Sequence, residues 1–583
     1  MSYRLVLGSV LALGSIGSLS LGAAERPNVV LIMTDDQGSG DFGVMGNPAI
    51  ETPCIDAMAR RSASMTTFYV SPVCSPTRSC LLTGRYNYRT RCIDTYVGRS
   101  MMDPAETTVA EMLAEAGYAT GIFGKWHLGD CYPMRAIDQG FEEALVHRGG
   151  GLAQPSEPRE NNNRYTDPIL FHNGQQVATS GYCTDVYFRA ALEFIEKSHA
   201  DGRNFFAYIA MNAPHEPFHD VPPELLQHYQ QKREALAQLI LNKLPPDKLA
   251  KEIDDLARIA AMITNIDQNV GKLFDKLTEL GVIENTLVIF LVDNGPNRLR
   301  YVGPRRGMKS EVHDGGVRSP LWLHWPARLQ AGRSCDQLSA HIDVTPTILE
   351  ACGVEPPADL QFDGRSLLPL LEGRDVTWPD RTLVIQSHRG DVPVRYHHFM
   401  IRDQRWKLLH ASGFGREQFT GEPVFELYDM QADPMESKNL VTEQPDVFQR
   451  LKQAYDKWFD DVSSTRPDNY APPRIWIGTP HESPTVLTRQ DWRQGTWEKQ
   501  SLGVWELHVA TEKAYDIRAE FDAQATPCEA VLEVAGVVKS VPVTANAEAV
   551  EFAAVALPAG DTQLRVRLMS GDQVRGVYQV VVR

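Results

Sequence analysis

The chain lacks any Cys-x-x-Cys pair, which excludes a thiolate zinc site of familiar form. Positive charge is in deficit: 58 Lys and Arg stand against 74 Asp and Glu, and the net charge of −16 argues against nucleic acid or an anionic membrane as partner. Beyond the N-terminus no apolar run is long enough to span a bilayer, which excludes a stable membrane anchor. No internal repeat or low-complexity tract interrupts the sequence, so it is not built as an array. Gly303-Pro-Arg-Arg-Gly-Met-Lys-Ser310 resembles a phosphate-binding P-loop only superficially. Met308 stands where a glycine must precede the lysine, and that reading is rejected.

What is present describes a folded, exported protein. Hydrophobic residues make up 43% and charged residues 23%, the proportions of a soluble globular chain. At 583 residues one core is not enough, so two or three domains are expected. Arg4, the apolar run Leu5 to Leu21 and the small residues Gly22-Ala23-Ala24 predict a signal peptide over 1–24 and export to a periplasm or the outside.

Four apolar runs each end in chemically useful residues. Asn28 to Thr34 leads into Asp35-Asp36-Gln37-Gly38, and Thr286 to Val292 into Asp293-Asn294-Gly295. Phe205 to Met211 leads into Asn212-Ala213-Pro214-His215, and Tyr118 to Phe123 into Gly124-Lys125-Trp126-His127. Continuous Val, Ile, Leu and Phe without alternation suit strands buried on both faces of a mostly parallel sheet. Such α/β sheets bind ligands at the carboxyl ends of their strands, so four such ends point to one shared pocket. Thr108 to Ala116, Thr184 to Ser198 and Leu249 to Leu280 read as helices between the strands, the last closed by Gly281.

The predicted organisation is a catalytic α/β domain over 25–375, then a small α+β subdomain over 376–465. In the latter, the runs Thr382 to Gln386, His397 to Arg402, Trp406 to His410 and Val424 to Tyr428 precede a helix near Asp446 to Phe459. The Pro- and Trp-rich stretch 466–502 reads as a connector. From 503 to 583, alternating runs such as Trp505-Glu-Leu-His-Val509 and Leu564-Arg-Val-Arg-Leu568 predict an accessory β-sandwich, which braces the core or binds glycan.

One segment carries most information: Pro72-Val-Cys-Ser-Pro-Thr-Arg-Ser-Cys-Leu-Leu-Thr-Gly84. Ser75 as N-cap and Pro76 at the first helical position would start a helix there. Cys74 then lies at its positive end with Arg78 one turn inside, a setting for an anion beside a reactive side chain. The segment resembles the signature of the formylglycine-dependent (type I, arylsulfatase-like) sulfatases of the alkaline phosphatase superfamily, and the resemblance extends over roughly the first 440 residues. It implies an alkaline-phosphatase-like α/β fold and hydrolysis of sulfate esters. It also implies bound Ca²⁺ and oxidation of Cys74 to Cα-formylglycine by a maturation enzyme. Conversion of Cys74 would leave eight of the nine cysteines, an even number compatible with disulfides but assigning none.

Asp35, Asp36, Asp293 and Asn294, with residue 74, are the expected metal ligands; oxygen donors without imidazole suit a hard ion such as Ca²⁺. Arg78, Lys125, His127, His215 and Lys309 match the family's motifs and would line the sulfate site together with Cys74. The resemblance implies that a formylglycine hydrate attacks sulfur with help from Asp293, that His215 protonates the leaving oxygen, and that His127 then takes a proton to expel sulfate. Phe123, where a small aliphatic residue is usual, and a segment around Lys309 poor in glycine depart from the family pattern.

For the substrate, His147-Arg148-Gly149-Gly150-Gly151 and Ser387-His388-Arg389-Gly390-Asp391 offer His147, Arg148, His388 and Arg389 to sugar hydroxyls, while Asn161 to Arg164 reads as a surface loop. The pattern is similar to bacterial exo-acting sulfatases, with a galactose or N-acetylgalactosamine sulfate as the expected substrate. A phosphonate or phosphodiester hydrolase of the same superfamily, and a non-catalytic sulfoglycan-binding protein, stay open as alternatives.

Overall fold

The computed structural model describes residues 26–241, 244–298, 300–465, 468, 470–523 and 525–583. The expected signal peptide lies outside them.

Five parallel strands form the middle of a ten-stranded sheet, in the order Thr286–Val292, Asn28–Thr34, Phe205–Ala210, Ala119–Lys125 and Glu143–His147. Leu321–His324 and Ile169–His172 flank them antiparallel. The unbroken apolar runs are explained by burial on both faces. Val30 and Ile32 pack under Cys183–Ala200 and the long helix Pro246–Glu279. Val29, Leu31 and Met33 face Leu81, Leu82, Val109 and Ile348 on the other side. Successive side chains of one strand thus feed two helical layers.

Local signals set the helix ends. Thr108 accepts from the Glu111 N–H while Glu111 accepts from the Thr108 N–H, a reciprocal cap that starts Val109–Glu115. Gly281 follows the long helix with φ of 71°.

The subdomain is a four-stranded antiparallel sheet, Leu383–Gln386, Phe399–Arg402, Trp406–His410 and Glu426–Asp429, covered by the helix Pro445–Ser463. The C-terminal sandwich has one sheet ordered Ile475–Ile477, Trp505–Val509, Gly560–Ser570, Cys528–Val534, Val537–Val543, and another ordered Thr485–Thr488, Gln579–Val582, Lys513–Glu520, Ala549–Leu557.

One expectation is corrected here. The stretch 466–502 is not merely a connector: Ile475–Ile477 and Thr485–Thr488 are strands of the sandwich. Their apolar alternation is three or four residues long and is hidden among prolines, too short to register as a pattern. None of the nine cysteines is paired with another.

The sandwich does not hang free. Val97, Met101, Cys131 and Met134 of the N-terminal part share its core with Trp505, Leu507 and Val580.

Candidate active site

The sheet brings its strand ends to one place. The Asp35 N–H donates to Ala213 O and the Asp293 N–H to Thr34 O, so the three loops that leave neighbouring strands stay in register past the sheet. Glycine is required where they crowd. At Gly124 (φ 122°) an added Cβ would lie 2.0 Å from the Ala210 carbonyl oxygen, and at Gly295 one would lie 2.1 Å from that of Gly315.

The helix over the site spans Cys74–Thr83 and is buried throughout. It begins earlier than the sequence predicted: extended Val73 is the cap residue and caps with no side chain, so Ser75 and Pro76 fall inside the first turn. Thr77 supplies the anchor instead. Its hydroxyl accepts from the Ser71 N–H and donates to the Asp293 carbonyl at 2.7 Å, tying the helix start to the loop that carries Asp293 and Asn294. Cys74 is thereby placed with ligand atoms of Asp35 and Asp36, all within 4.8 Å of one another.

Around this point cations and carboxylates interleave. Arg78 lies 3.0 Å from Asp293 and 3.5 Å from Asp35, and donates to the Lys125 carbonyl. Lys125 reaches Asp35 at 2.5 Å, Lys309 reaches Asp36 at 2.6 Å, and His215 Nε2 stands 3.7 Å from Asp36. The Asn294 amide donates to Asp36 Oδ1, and Asp293 Oδ1 accepts from the Asp36 N–H. All the expected ligands and sulfate-lining cations therefore converge. Lys309, on a glycine-poor segment, is held by its own N–H on Pro296 O and by the Ser310 N–H on Pro72 O.

Their protonation follows from that packing. Burial raises the Asp293 carboxyl to about 7, with the Asp35 charge adding to it. Asp35 is driven far below the usual carboxylate range: burial opposes this, but Lys125, His215, Arg78 and Lys309 outweigh it. Burial lifts the Cys74 thiol to about 11 against the pull of Lys125 and Lys309, so at neutral pH it is a protonated, weak nucleophile.

The fit to a hard cation rests on orphaned atoms. Asp35 Oδ1, Asp36 Oδ2 and Asn294 Oδ1 are buried acceptors without a hydrogen-bond partner, a costly state that an ion bound by oxygen relieves. Gln37, next in the chain after Asp36, is likewise fully buried with both amide atoms unpartnered, a feature that sequence reading missed. Its only sequence signal is its place directly after Asp35-Asp36.

Both histidines present one free nitrogen. His127 Nε2 faces the Thr95 carbonyl at 3.2 Å and must carry the proton, leaving Nδ1 unpartnered. His215 Nδ1 likewise faces Glu216 O at 2.7 Å. Asp36 and His127 hold left-handed backbones with φ of 61°, a strain of about 1–3 kcal/mol each that concentrates at functional sites. Burial lowers both imidazoles, His127 far below 6.5, where Lys125 and Arg78 add to the effect, and His215 less because Asp36 opposes it.

The substrate residues proposed from sequence separate. His147, beside Lys125 in the sheet register, is fully enclosed with Nδ1 3.1 Å from the Tyr187 hydroxyl. Arg148 and His388 have internal partners. The Arg148 guanidinium donates to Ser156 O and stacks on Phe171 at 4.0 Å. His388 uses both ring nitrogens, on Arg389 O and the Val394 N–H. Both are occupied internally because each stabilises the loop that carries it. Arg389 pairs with buried Asp94 and lies over Tyr96. The 94–100 loop is in turn gripped by the sandwich side: Gln490 O accepts from the Gly98 N–H, and Gln490 Nε2 lies 3.4 Å from the same Thr95 carbonyl that holds His127.

Comparison with known proteins decides the family. The family model described as Sulfatase matches residues 27–354. The chain belongs to the sulfatase family. This sulfatase is a sulfuric ester hydrolase of the type I group within the alkaline phosphatase superfamily, and the large sheet with helices on both faces is that superfamily's fold. Residues 308–460 match a second model, N-sulphoglucosamine sulphohydrolase, C-terminal. An N-acetylgalactosamine-6-sulfatase of Canis lupus familiaris is 33% identical over 411 residues, covering 66% of the present sulfatase and 72% of its own length. An N-acetylglucosamine-6-O-sulfatase of Bacteroides thetaiotaomicron is 24% identical over 536 residues, covering 78% and 90%. The crystal structure of Ps i-CgsB in complex with k-i-k-neocarrahexaose has a TM-score of 0.62 at 26% identity, covering 74% of this chain and 93% of that one. Among the described residues no helix is long and apolar enough to cross a membrane.

Proposed function

We propose that this sulfatase removes sulfate from the end of a sulfated carbohydrate, a galactose or N-acetylgalactosamine sulfate, using Cα-formylglycine made from Cys74 beside a bound Ca²⁺. The observation that carries the reading is the cluster itself. Arg78, Lys125 and Lys309 surround residue 74 within an acidic protein, next to three unpartnered acceptor oxygens. The likeness to an N-acetylgalactosamine-6-sulfatase supports the sugar class. Residue 74 cannot serve well as a thiol, because burial holds the proton on it.

Asp35, Asp36, Asp293 and Asn294 would hold Ca²⁺, which when bound supplies positive charge for the sulfate oxygens. The chain's own groups do the rest. Arg78, Lys125 and Lys309 neutralise charge that develops on the sulfate in the transition state. His215, with Nε2 turned to the site, protonates the departing sugar oxygen. His127 takes a proton from residue 74 through Nδ1, while Thr95 keeps its other nitrogen protonated. The signal peptide over 1–24, export and a maturation enzyme belong to the same proposal. So do the catalytic domain over 25–375 and the subdomain over 376–465.

Two results test it. Peptide mass spectrometry of protein from a maturation-competent host is expected to show the segment around Cys74 converted from thiol to aldehyde, and an unaltered thiol in active enzyme contradicts the nucleophile. Prolonged dialysis against a calcium chelator is expected to lower kcat on 4-nitrophenyl sulfate by at least about 100-fold, with recovery on adding Ca²⁺. Full activity after verified calcium removal contradicts the metal assignment.

The pH profile follows from the two histidines. His127 must be neutral to act as base and His215 protonated to act as acid. Both are shifted below 6.5, His127 further, so the base form of one and the acid form of the other coexist on the acid side of neutrality. A bell-shaped kcat/KM profile with an acidic optimum is expected; a maximum on the alkaline side argues against these roles.

A further inference from the structure

A second cleft opens between the loop over 155–159 and the β-sandwich, enclosing about 250 Å³. Its lining includes Arg159, Arg489, Lys499 and Arg575 with a single carboxylate, Asp522. That excess of positive charge is conspicuous in a chain of net charge −16. Asp522 is shared by Arg159 at 2.7 Å and Lys499 at 2.8 Å. Among the described residues neither Arg489 nor Arg575 has a carboxylate within ion-pair distance.

Arg489 is the informative one. It is only 5% exposed, and its guanidinium donates to the carbonyls of Val577, Trp497, Glu498 and Lys499. Carbonyl dipoles fix its position without cancelling its charge. A buried cation lacking a counter-ion carries a desolvation cost that an anionic ligand offsets. Aromatic faces accompany the charge: Trp497, with its indole N–H unpartnered, and Tyr578, over which Arg159 stacks at 4.6 Å. Apolar ring faces beside fixed cations suit a sugar ring bearing an acidic substituent.

The cleft also borders the wall of the active site. The Trp497 ring lies 4.7 Å from that of Tyr96, and Tyr96 carries Arg389 at 4.4 Å. The loop that supplies Pro155 and Arg159 to the cleft follows directly on Gly150 and Gly151, which pack against His127 and His215. We propose that this cleft is a subsite for a sulfated stretch of the glycan whose end occupies the active site. The proposal rests on the reading of the enzyme as a glycan sulfatase and extends it to recognition beyond the terminal sugar.

The test uses the full-length protein, a sulfated hexasaccharide prepared from chondroitin sulfate, and its desulfated counterpart. Binding is measured by calorimetry in a Cys74→Ala background, so that no turnover intervenes. Lys499→Ala combined with Arg575→Ala is expected to weaken binding of the sulfated hexasaccharide about 10-fold, the sum of two partly exposed charge contacts. The desulfated chain should bind weakly to both proteins. With residue 74 intact, the ratio of kcat/KM on the hexasaccharide to that on 4-nitrophenyl sulfate should fall by a similar factor. Equal affinity in parent and double variant, equal loss on both substrates, or no binding of the sulfated hexasaccharide by the parent overturns the subsite. Charge-sensitive binding in an enzyme that hydrolyses neither substrate keeps the subsite and refutes only the hydrolytic reading.

Discussion

Cys74→Ala is expected to lower kcat/KM on an aryl sulfate by at least about 10,000-fold while the protein stays folded. The side chain sits at the first turn of a buried helix, beside Asp35 and Asp36 and within the field of Lys125 and Lys309. Truncation removes only a sulfur atom from packing, so a collapse of the fold would not explain the loss. Cys74→Ser separates the steps. Its single hydroxyl can accept the sulfuryl group but lacks the second hydroxyl needed to expel it. A stoichiometric burst of the phenol product, followed by arrest and a mass gain of one sulfuryl group on that peptide, is the expected outcome. Sustained turnover by either variant would remove residue 74 from the chemistry.

Arg78→Met is expected to combine the loss of activity with the largest loss of stability of any single change in the site. Its side chain is fully enclosed and spans Asp35, Asp293 and the Lys125 carbonyl. Methionine fills much of the volume but leaves buried carboxylates short of compensation, which costs about 3–5 kcal/mol. On the proposed metal assignment, added Ca²⁺ would bind among those same carboxylates and should restore more of the melting temperature in Arg78→Met than in the parent. Arg78→Lys keeps the charge without the fork that reaches two partners, so an intermediate loss is expected. Thermal unfolding with and without calcium checks this. A variant as stable as the parent without added calcium would show that the guanidinium is not what holds the carboxylates together.

The sheet was legible because burial on both faces demands continuous apolar runs, and Asn28–Thr34 and Thr286–Val292 are such runs with polar ends. Their spacing in the chain, about 250 residues, says nothing about adjacency, yet the rule that ligands gather at strand ends brought Asp35 and Asp293 together. What escaped was anything decided by a neighbour. Thr77 anchors the helix by reaching the Asp293 carbonyl, so a local cap at Ser75 was unnecessary. His388 and Arg148 carry the right chemistry for a sugar but spend it on their own loops. Gln490 and the short strand Thr485–Thr488 give no signal alone, because their roles exist only once the 94–100 loop is against them.

The enclosure of Cys74, 2% exposed at the start of a helix that is buried along its whole length, bears on the order of events during synthesis. The proposed oxidation needs this side chain within reach of another enzyme, which the finished protein denies. The window closes as the helix docks under the sheet ends, and the wall around His127 is completed only when Gln490 and the sandwich strands, the last as far along as Gln579–Val582, have folded. On the proposed conversion of Cys74, modification would have to precede folding, and a chain that folded too quickly would lock in an inert thiol that no later encounter could correct.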